Sequence, residues 1–392
     1  MIIIGGGPGG LGVAAVLNGW HPKSVFPFDY SNFELQALVE KHSEAPLSLD
    51  QTEVLKAGLR PIEFFRSQHH PNAGIQPLGK RNFVFHKRDP IDWLMLTLDG
   101  LGGLWNNVPT NQLSLSPGHW MELAPYPMAQ FFKDTGRTLD ENALIHRDDL
   151  LTYYNAFAES MNLLTRIKTG SLVSNVYPSN EESYRFKIQV NSGPNAGIYT
   201  ADHLVLATGP SSLQRKLLAR GQNESYIKFK YKNPDELDGD RVMIIGGGRS
   251  SDWAATECYE AGKTVLYIMR QSLNSHMKLI RESLNLPYYK RLAEIIKCSD
   301  SRMKLFYKAG AEHFRHDGHV DLSTEIGQIQ VRVDHVVVEI GGAPDYGLLK
   351  GFPRINLISK KDNYRFQLMQ MRTNQATFES LDVPGLYPAG YL

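Results

Sequence analysis

The sequence predicts an α/β protein of two parallel-sheet domains, the second inserted within the first, and three observations lead there. One strand–turn–helix layout occurs twice, at residues 1–17 and again at 241–258. In both copies the turn opens with three consecutive glycines. Further apolar strands ending at glycine follow each copy, and the last of them closes the chain at 383–390.

Met1-Ile2-Ile3-Ile4 opens the chain as a β-branched run of the kind found in strands. Gly5-Gly6-Gly7-Pro8-Gly9-Gly10 follows at once, and the small apolar residues 11–17 suit a helix packed closely on a sheet. Residues 124–138, rich in proline and aromatics, read as an irregular surface excursion. Residues 147–162 read as a helix, with Asp148 and Asp149 near its start where negative charge suits the dipole. Strands are expected at 183–190 and 198–206, and a polar linker at 222–240. The second opening strand is Arg241-Val242-Met243-Ile244-Ile245. Its turn is Gly246-Gly247-Gly248-Arg249-Ser250-Ser251, its helix covers 252–258, and the next strand 264–269. Asp317-Gly318 between 311–316 and 319–323 marks a hairpin, and strand-like alternation continues over 328–340.

A pyrophosphate resting on a helix N-terminus needs backbone N–H groups aimed at it and no side chain in the way. In G-x-G-x-x-G the first glycine permits the sharp turn, the second admits the phosphate, and the third lets helix and strand close up. Gly5, Gly7 and Gly10 take these places in the first copy. Gly246, Gly248 and Ser251 take them in the second, serine being small enough to replace the third glycine. Each motif follows an apolar strand and opens a helix, the context that gives it meaning. Counting 24 positions from the first glycine of each motif reaches Asp29 and Arg270. An acid there accepts the ribose hydroxyls of an adenosine, whereas an arginine suits a 2′-phosphate. Two Rossmann-like domains are therefore expected, one for FAD at 1–220 and 335–392 and one for NADPH at 236–334.

Composition narrows the function classes. Lys plus Arg (42) and Asp plus Glu (41) leave a net charge of +1, so neither a nucleic-acid field nor a polybasic membrane face is expected. Cys258 and Cys298 are the only cysteines. They form no disulfide framework, zinc set or C-x-x-C pair, which argues against a disulfide reductase. No apolar run approaches the roughly 20 residues of a membrane helix, and no signal-peptide layout opens the chain. A soluble cytoplasmic protein is expected. His313, His316 and His319 are split by the Asp-Gly turn rather than sharing a helix face, so no metal is expected.

Several segments carry a resemblance to a known family. Leu204-Val205-Leu206-Ala207-Thr208-Gly209 resembles the crossover strand of two-dinucleotide flavoproteins, and Val383-Pro384-Gly385-Leu386-Tyr387-Pro388-Ala389-Gly390 resembles their last FAD strand. Together with Leu101-Gly102-Gly103-Leu104-Trp105, Gly118-His119-Trp120-Met121, residues 149–154, 244–252 and 286–289, and Arg270, the sequence resembles the flavin-containing monooxygenase superfamily. Within it the likeness is to the oxidative stress-induced growth inhibitor proteins, over nearly the whole chain. The resemblance implies FAD in the outer domain, NADPH in the inserted one, and a reduced flavin that activates oxygen. It implies that Gly102, Gly103 and Trp105 lie against the flavin, with Thr208, Gly209 and Gly390 at the ends of FAD-domain strands. The growth-inhibitor branch implies roles in proliferation and cell death, with possible protein partners.

Because the cofactor carries the chemistry, no acid or base side chain is nominated. Asn106 and Asn107 either donate hydrogen bonds near the flavin or shape the turn before Pro109. The superfamily's Phe, Gly and His fingerprint between the two motifs is absent, with Ser225-Tyr226-Ile227-Lys228-Phe229 in about its place. A nucleotide-binding regulatory protein of little turnover is accordingly the alternative to a monooxygenase or NADPH oxidase. The chain starts at its first strand and stops before the turn and helix with which the family continues, as a shortened isoform or an incomplete gene model would.

Overall fold

A computed structural model describes residues 1–24, 37, 55–56, 83–138, 140, 143–180, 182–191, 193–210, 212–352, 355–361 and 367–390. The chain forms two compact units: Met1–Asn106, Ser116–Ser212 and Pro344–Leu392 make the first, and Asn107–Leu115 with Leu213–Ala343 the second. The second is thus inserted in the first.

The first unit is built on a five-stranded parallel sheet in the order Leu386–Pro388, Leu204–Leu206, Ile2–Ile4, Leu94–Leu96, Ile167–Lys168. Its centre is the opening strand, where Ile3 pairs with Val205 on one side and Met95 on the other. A parallel strand covered on both faces needs an unbroken apolar run, and Ile2, Ile3 and Ile4 are all buried. On one face lie the helices Pro8–Leu17 and Arg147–Ser160, which bring Leu11, Ala14, Tyr153, Tyr154 and Phe157 into one core with Ile3. The other face packs Ile2 and Ile4 with Phe186 and Ile188 of an antiparallel sheet made by Val173–Pro178, Phe186–Val190 and Gly197–Ala201. Residues 124–138 differ from the expected excursion. Pro127 caps the helix Met128–Asp134, so the prolines precede the helix rather than break it. Met128, Phe131 and Phe132, spaced on one helix face, are buried, and Phe131 meets Tyr153 edge-on at 5.5 Å.

The second unit repeats the plan. Its parallel sheet runs Ile227–Lys228, His335–Glu339, Arg241–Gly246, Thr264–Ile268, Met303–Phe306. The helices Arg249–Glu260, Leu273–Glu282 and Pro287–Cys298 connect these strands. An antiparallel sheet of Gly310–Phe314, His319–Thr324 and Gly327–Arg332 follows, turning at Gly318 with φ +83°. Two expectations change here. The linker at 222–240 supplies the edge strand Ile227–Lys228 and the buried Tyr231 and Leu237, because apolar side chains hidden among polar neighbours still find the core. The strand His335–Glu339 pairs with Arg241–Gly246, so this unit runs to Ala343 rather than ending at 334.

Candidate nucleotide-binding sites

In the first unit three glycine segments converge on the start of the Pro8–Leu17 helix. Gly5 has φ +114°, and a Cβ there would lie 2.3 Å from the Ala207 carbonyl oxygen. A Cβ on Gly10 would lie 2.1 Å from the Gly5 oxygen. Both glycines are required by backbone packing. Gly7 is different: its φ is −80° and a Cβ would come no nearer than 3.5 Å to the Gly103 Cα. Among the described residues, packing leaves room there for a side chain that the sequence does not supply. Gly102 N–H donates to Gly6 O at 2.9 Å, and a Cβ on Gly103 would stand 2.7 Å from the Gly7 Cα. From the far end of the chain, Gly390 N lies 3.2 Å from where a Gly9 Cβ would be. Gly7 has no side chain to cap the helix, so the amide dipoles at its start are left for another acceptor.

Trp105 is half-buried against the core, and its carbonyl accepts from Arg147 Nε at 3.0 Å. Arg147 thereby ties the turn to the start of the Arg147–Ser160 helix. Asn106 is the turn's internal clamp. Its Nδ2 donates to the Gly100, Leu101 and Gly103 carbonyls at 3.1, 3.3 and 3.1 Å, so the amide shapes the turn instead of reaching a ligand. Asn107 belongs to the second unit, where its Oδ1 accepts from Lys230 Nζ at 3.4 Å. Thr208 follows the Leu204–Leu206 strand, and its Oγ1 is buried with no hydrogen-bond partner among the described residues. Gly209 and Gly390 both have positive φ, +80° and +76°. Asp29 lies outside the described residues.

In the second unit a Cβ on Gly246 would lie 2.4 Å from the Glu339 carbonyl oxygen and 2.6 Å from the Ser251 Cβ. Ser251 does more than stand in for a glycine. Its Oγ accepts from Gly248 N–H at 3.0 Å and lies 2.8 Å from Gly248 O, bracing the turn. Gln271 Nε2 donates to Gly247 O at 2.9 Å, which ties the end of the next strand to the turn. Beside Gln271, Arg270 is exposed and makes no ion pair or hydrogen bond among the described residues.

Sequence reasoning missed what lies beneath this turn. Asp252 and His276 are both fully buried and bonded, Oδ1 to Nε2, at 2.8 Å. Tyr267 OH reaches Asp252 Oδ1 at 2.7 Å and Tyr289 OH donates to Oδ2 at 2.9 Å. The only sequence signal was polar residues at core positions, since the partners come from separate elements. Burial also pushes the Glu339 carboxyl up to about 7, while Tyr231 N–H donates to it at 3.1 Å. Cys258 is buried, its thiol pushed up to about 12 by desolvation, and Cys298 is exposed on another helix. The three histidines each face an acid: His313 with Asp321 at 3.5 Å, His316 with Glu224 at 3.0 Å, His319 with Asp317 at 3.0 Å. Among the described residues no helix is long and apolar enough to cross a membrane.

Two parallel sheets, each opening through a glycine-rich turn into a helix, define the class: oxidoreductases with two Rossmann-like domains. The pyridine nucleotide-disulphide oxidoreductase family matches over residues 87–390, and the chain belongs to that family. Oxidative stress-induced growth inhibitor 1 of Mus musculus is 24% identical over 441 residues, covering 100% of this chain and 90% of that protein. Oxidative stress-induced growth inhibitor 2 of Homo sapiens is 21% identical over 406 residues, covering 89% and 80%. These bear out the growth-inhibitor resemblance read from the sequence. Among solved structures, the bacillithiol disulfide reductase Bdr (YpdA) from Staphylococcus aureus superposes with a TM-score of 0.64 at 19% identity, covering 99% of this chain and 88% of that one. A flavin-containing monooxygenase from Stenotrophomonas maltophilia gives 0.57 at 15% identity, covering 100% and 90%.

Proposed function

We propose that this chain is a cytoplasmic FAD- and NADPH-dependent flavoprotein of the monooxygenase or NADPH oxidase type, linked to the control of cell growth. The observation that carries the reading is the uncapped, side-chain-free cradle at Gly7, where packing alone would tolerate a Cβ. The residues fit a dinucleotide. Gly5, Gly7 and Gly10 with Gly102, Gly103 and Gly390 would surround the FAD diphosphate. Trp105 and Gly209 would flank the bound group, and the orphaned hydroxyl of Thr208 would gain a partner from it. Gly246, Gly248 and Ser251 would take the NADPH diphosphate and Arg270 its 2′-phosphate. When bound, the nicotinamide would supply a hydride and the flavin would take up its electron pair and pass it to oxygen. The chain's own residues bind and orient. Arg147 and Asn106 keep the Gly102–Gly103 turn against the Gly7 cradle, and Gln271 keeps Arg270 beside the second turn. The names of the relatives support the link to growth and to flavin-dependent oxidation.

A nucleotide-binding regulator of little turnover, acting through protein partners, is the second reading. It is favoured by Ser225-Tyr226-Ile227-Lys228-Phe229, which stands where the superfamily has its Phe, Gly and His and forms a sheet edge. One experiment separates the two: an absorption spectrum of purified, FAD-supplied protein before and after anaerobic NADPH, then oxygen uptake. Bleaching of the flavin band followed by oxygen consumption supports the enzyme. A flavin band that NADPH leaves intact supports the regulator. Protein that stays colourless with excess FAD defeats both.

A further inference from the structure

We propose that the buried Asp252–His276 pair is a positioning clamp that sets the preference for a 2′-phosphorylated dinucleotide. The inference rests on the reading that the second unit takes NADPH. The two ends of the clamp sit one step from the two recognition loops. Asp252 follows Ser251 directly on the helix that the Gly246–Gly248 turn opens. His276 lies one turn into the helix capped by Ser272, with its N–H on Ser272 O at 3.1 Å, and Ser272 follows Arg270 and Gln271. Pinning Asp252 to His276 therefore fixes the loop that presents the arginine against the turn that would hold the diphosphate.

Each oxygen and ring nitrogen of the pair has a partner. Asp252 Oδ1 meets His276 Nε2 and Tyr267 OH, and Oδ2 accepts from Tyr289 OH. His276 Nδ1 lies 3.2 Å from Tyr307 OH, and Tyr267 OH also lies 2.9 Å from Ser251 Oγ, which braces Gly248. Three helices and the strand Thr264–Ile268 thus meet at one carboxylate, and Tyr307, just past Met303–Phe306, meets the far side of the imidazole. Relative to an apolar replacement, a buried hydrogen-bonded polar pair adds little stability. Its bonds are directional, so it holds one arrangement of these elements where apolar packing would accept several. A pair needed only for folding would be indifferent to which dinucleotide binds. A pair that spaces the two loops affects the one ligand whose 2′-phosphate would reach the arginine while its diphosphate sits on the turn.

The test is calorimetric titration of the full-length chain with NADP+ and with NAD+, on wild type, Arg270→Ala, His276→Gln and Tyr307→Phe, each checked by thermal melting. Arg270→Ala should weaken NADP+ by roughly tenfold or more and NAD+ hardly at all, as loss of a charge-assisted bond does. His276→Gln touches no ligand, yet should lower the NADP+ over NAD+ preference by roughly fivefold, the scale of indirect coupling. Tyr307→Phe keeps the Asp252–His276 bond and loses only the outer one, so it covers the case in which His276→Gln fails to fold; a fall in preference of about twofold is expected. If Arg270→Ala discriminates but both clamp variants weaken the two nucleotides equally, or neither, the clamp is overturned and the NADPH reading stands. If Arg270→Ala itself affects both equally, that reading fails and takes the clamp with it.

Discussion

Glu339 ends the strand beside the second glycine-rich turn, and its own carbonyl oxygen is what forbids a Cβ at Gly246. Burial raises its carboxyl from an ordinary 4.5 to about 7, against the lowering effect of the Tyr231 N–H bond. The folded state therefore holds this proton more tightly than the unfolded chain. Its contribution to stability is complete below about pH 4.5 and is lost as pH rises through 7. At about 1.4 kcal/mol per decade of proton affinity, the interval corresponds to about 3 kcal/mol. Glu339→Gln keeps an oxygen for the Tyr231 N–H and cannot ionise. The variant should match wild type within about 1 kcal/mol at pH 5 and exceed it by about 3 kcal/mol at pH 8. Hydrogen exchange at the Val336–Val338 amides, corrected for intrinsic rates, reads the stability of that sheet directly. A difference between the two proteins that is the same at pH 5 and pH 8 would refute the argument, because only ionisation of this carboxyl changes between them.

Two glycines in the first turn should part company. Gly10→Ala places a methyl 2.1 Å from the Gly5 oxygen and should destabilise the unit by about 2 kcal/mol or more, whether or not FAD is present, as overpacking does. Gly7→Ala meets no close neighbour, so its melting without ligand should stay near wild type while FAD affinity, followed by flavin fluorescence, falls at least about tenfold through the displaced phosphate contact. Equal flavin binding by Gly7→Ala and wild type would remove the cradle from the argument. A thiol titration with Ellman's reagent at pH 8 should count one group in the native protein and two after denaturation. Cys298 is exposed, whereas the Cys258 thiol is buried and stays protonated there. Fast labelling of both in the native state would contradict that placement.

Pattern along the chain was enough to show the duplicated strand–turn–helix and the need for small residues at Gly5, Gly10 and Ser251, because a tight turn between a strand and a helix packed on it constrains neighbouring residues. The helix at Met128–Asp134 was hidden by Pro125 and Pro127, which read as breakers until the structure showed that Pro127 is the cap. The edge strand Ile227–Lys228 is too short to show alternation, and it acquires its conformation only by pairing with His335–Glu339. The role of Asn106 depended on where carbonyls up to six residues back curl toward its amide. The Asp252–His276 pair was beyond any local reading. Its members lie 24 residues apart, and only the packing of helices against a parallel sheet brings a carboxylate, an imidazole and tyrosines from separate elements to one dry point. Local sequence determined where the chain bends between strand and helix. Which distant polar groups hold that bend in place was decided by tertiary packing, since burial makes unpaired polar atoms costly and so compels them to meet.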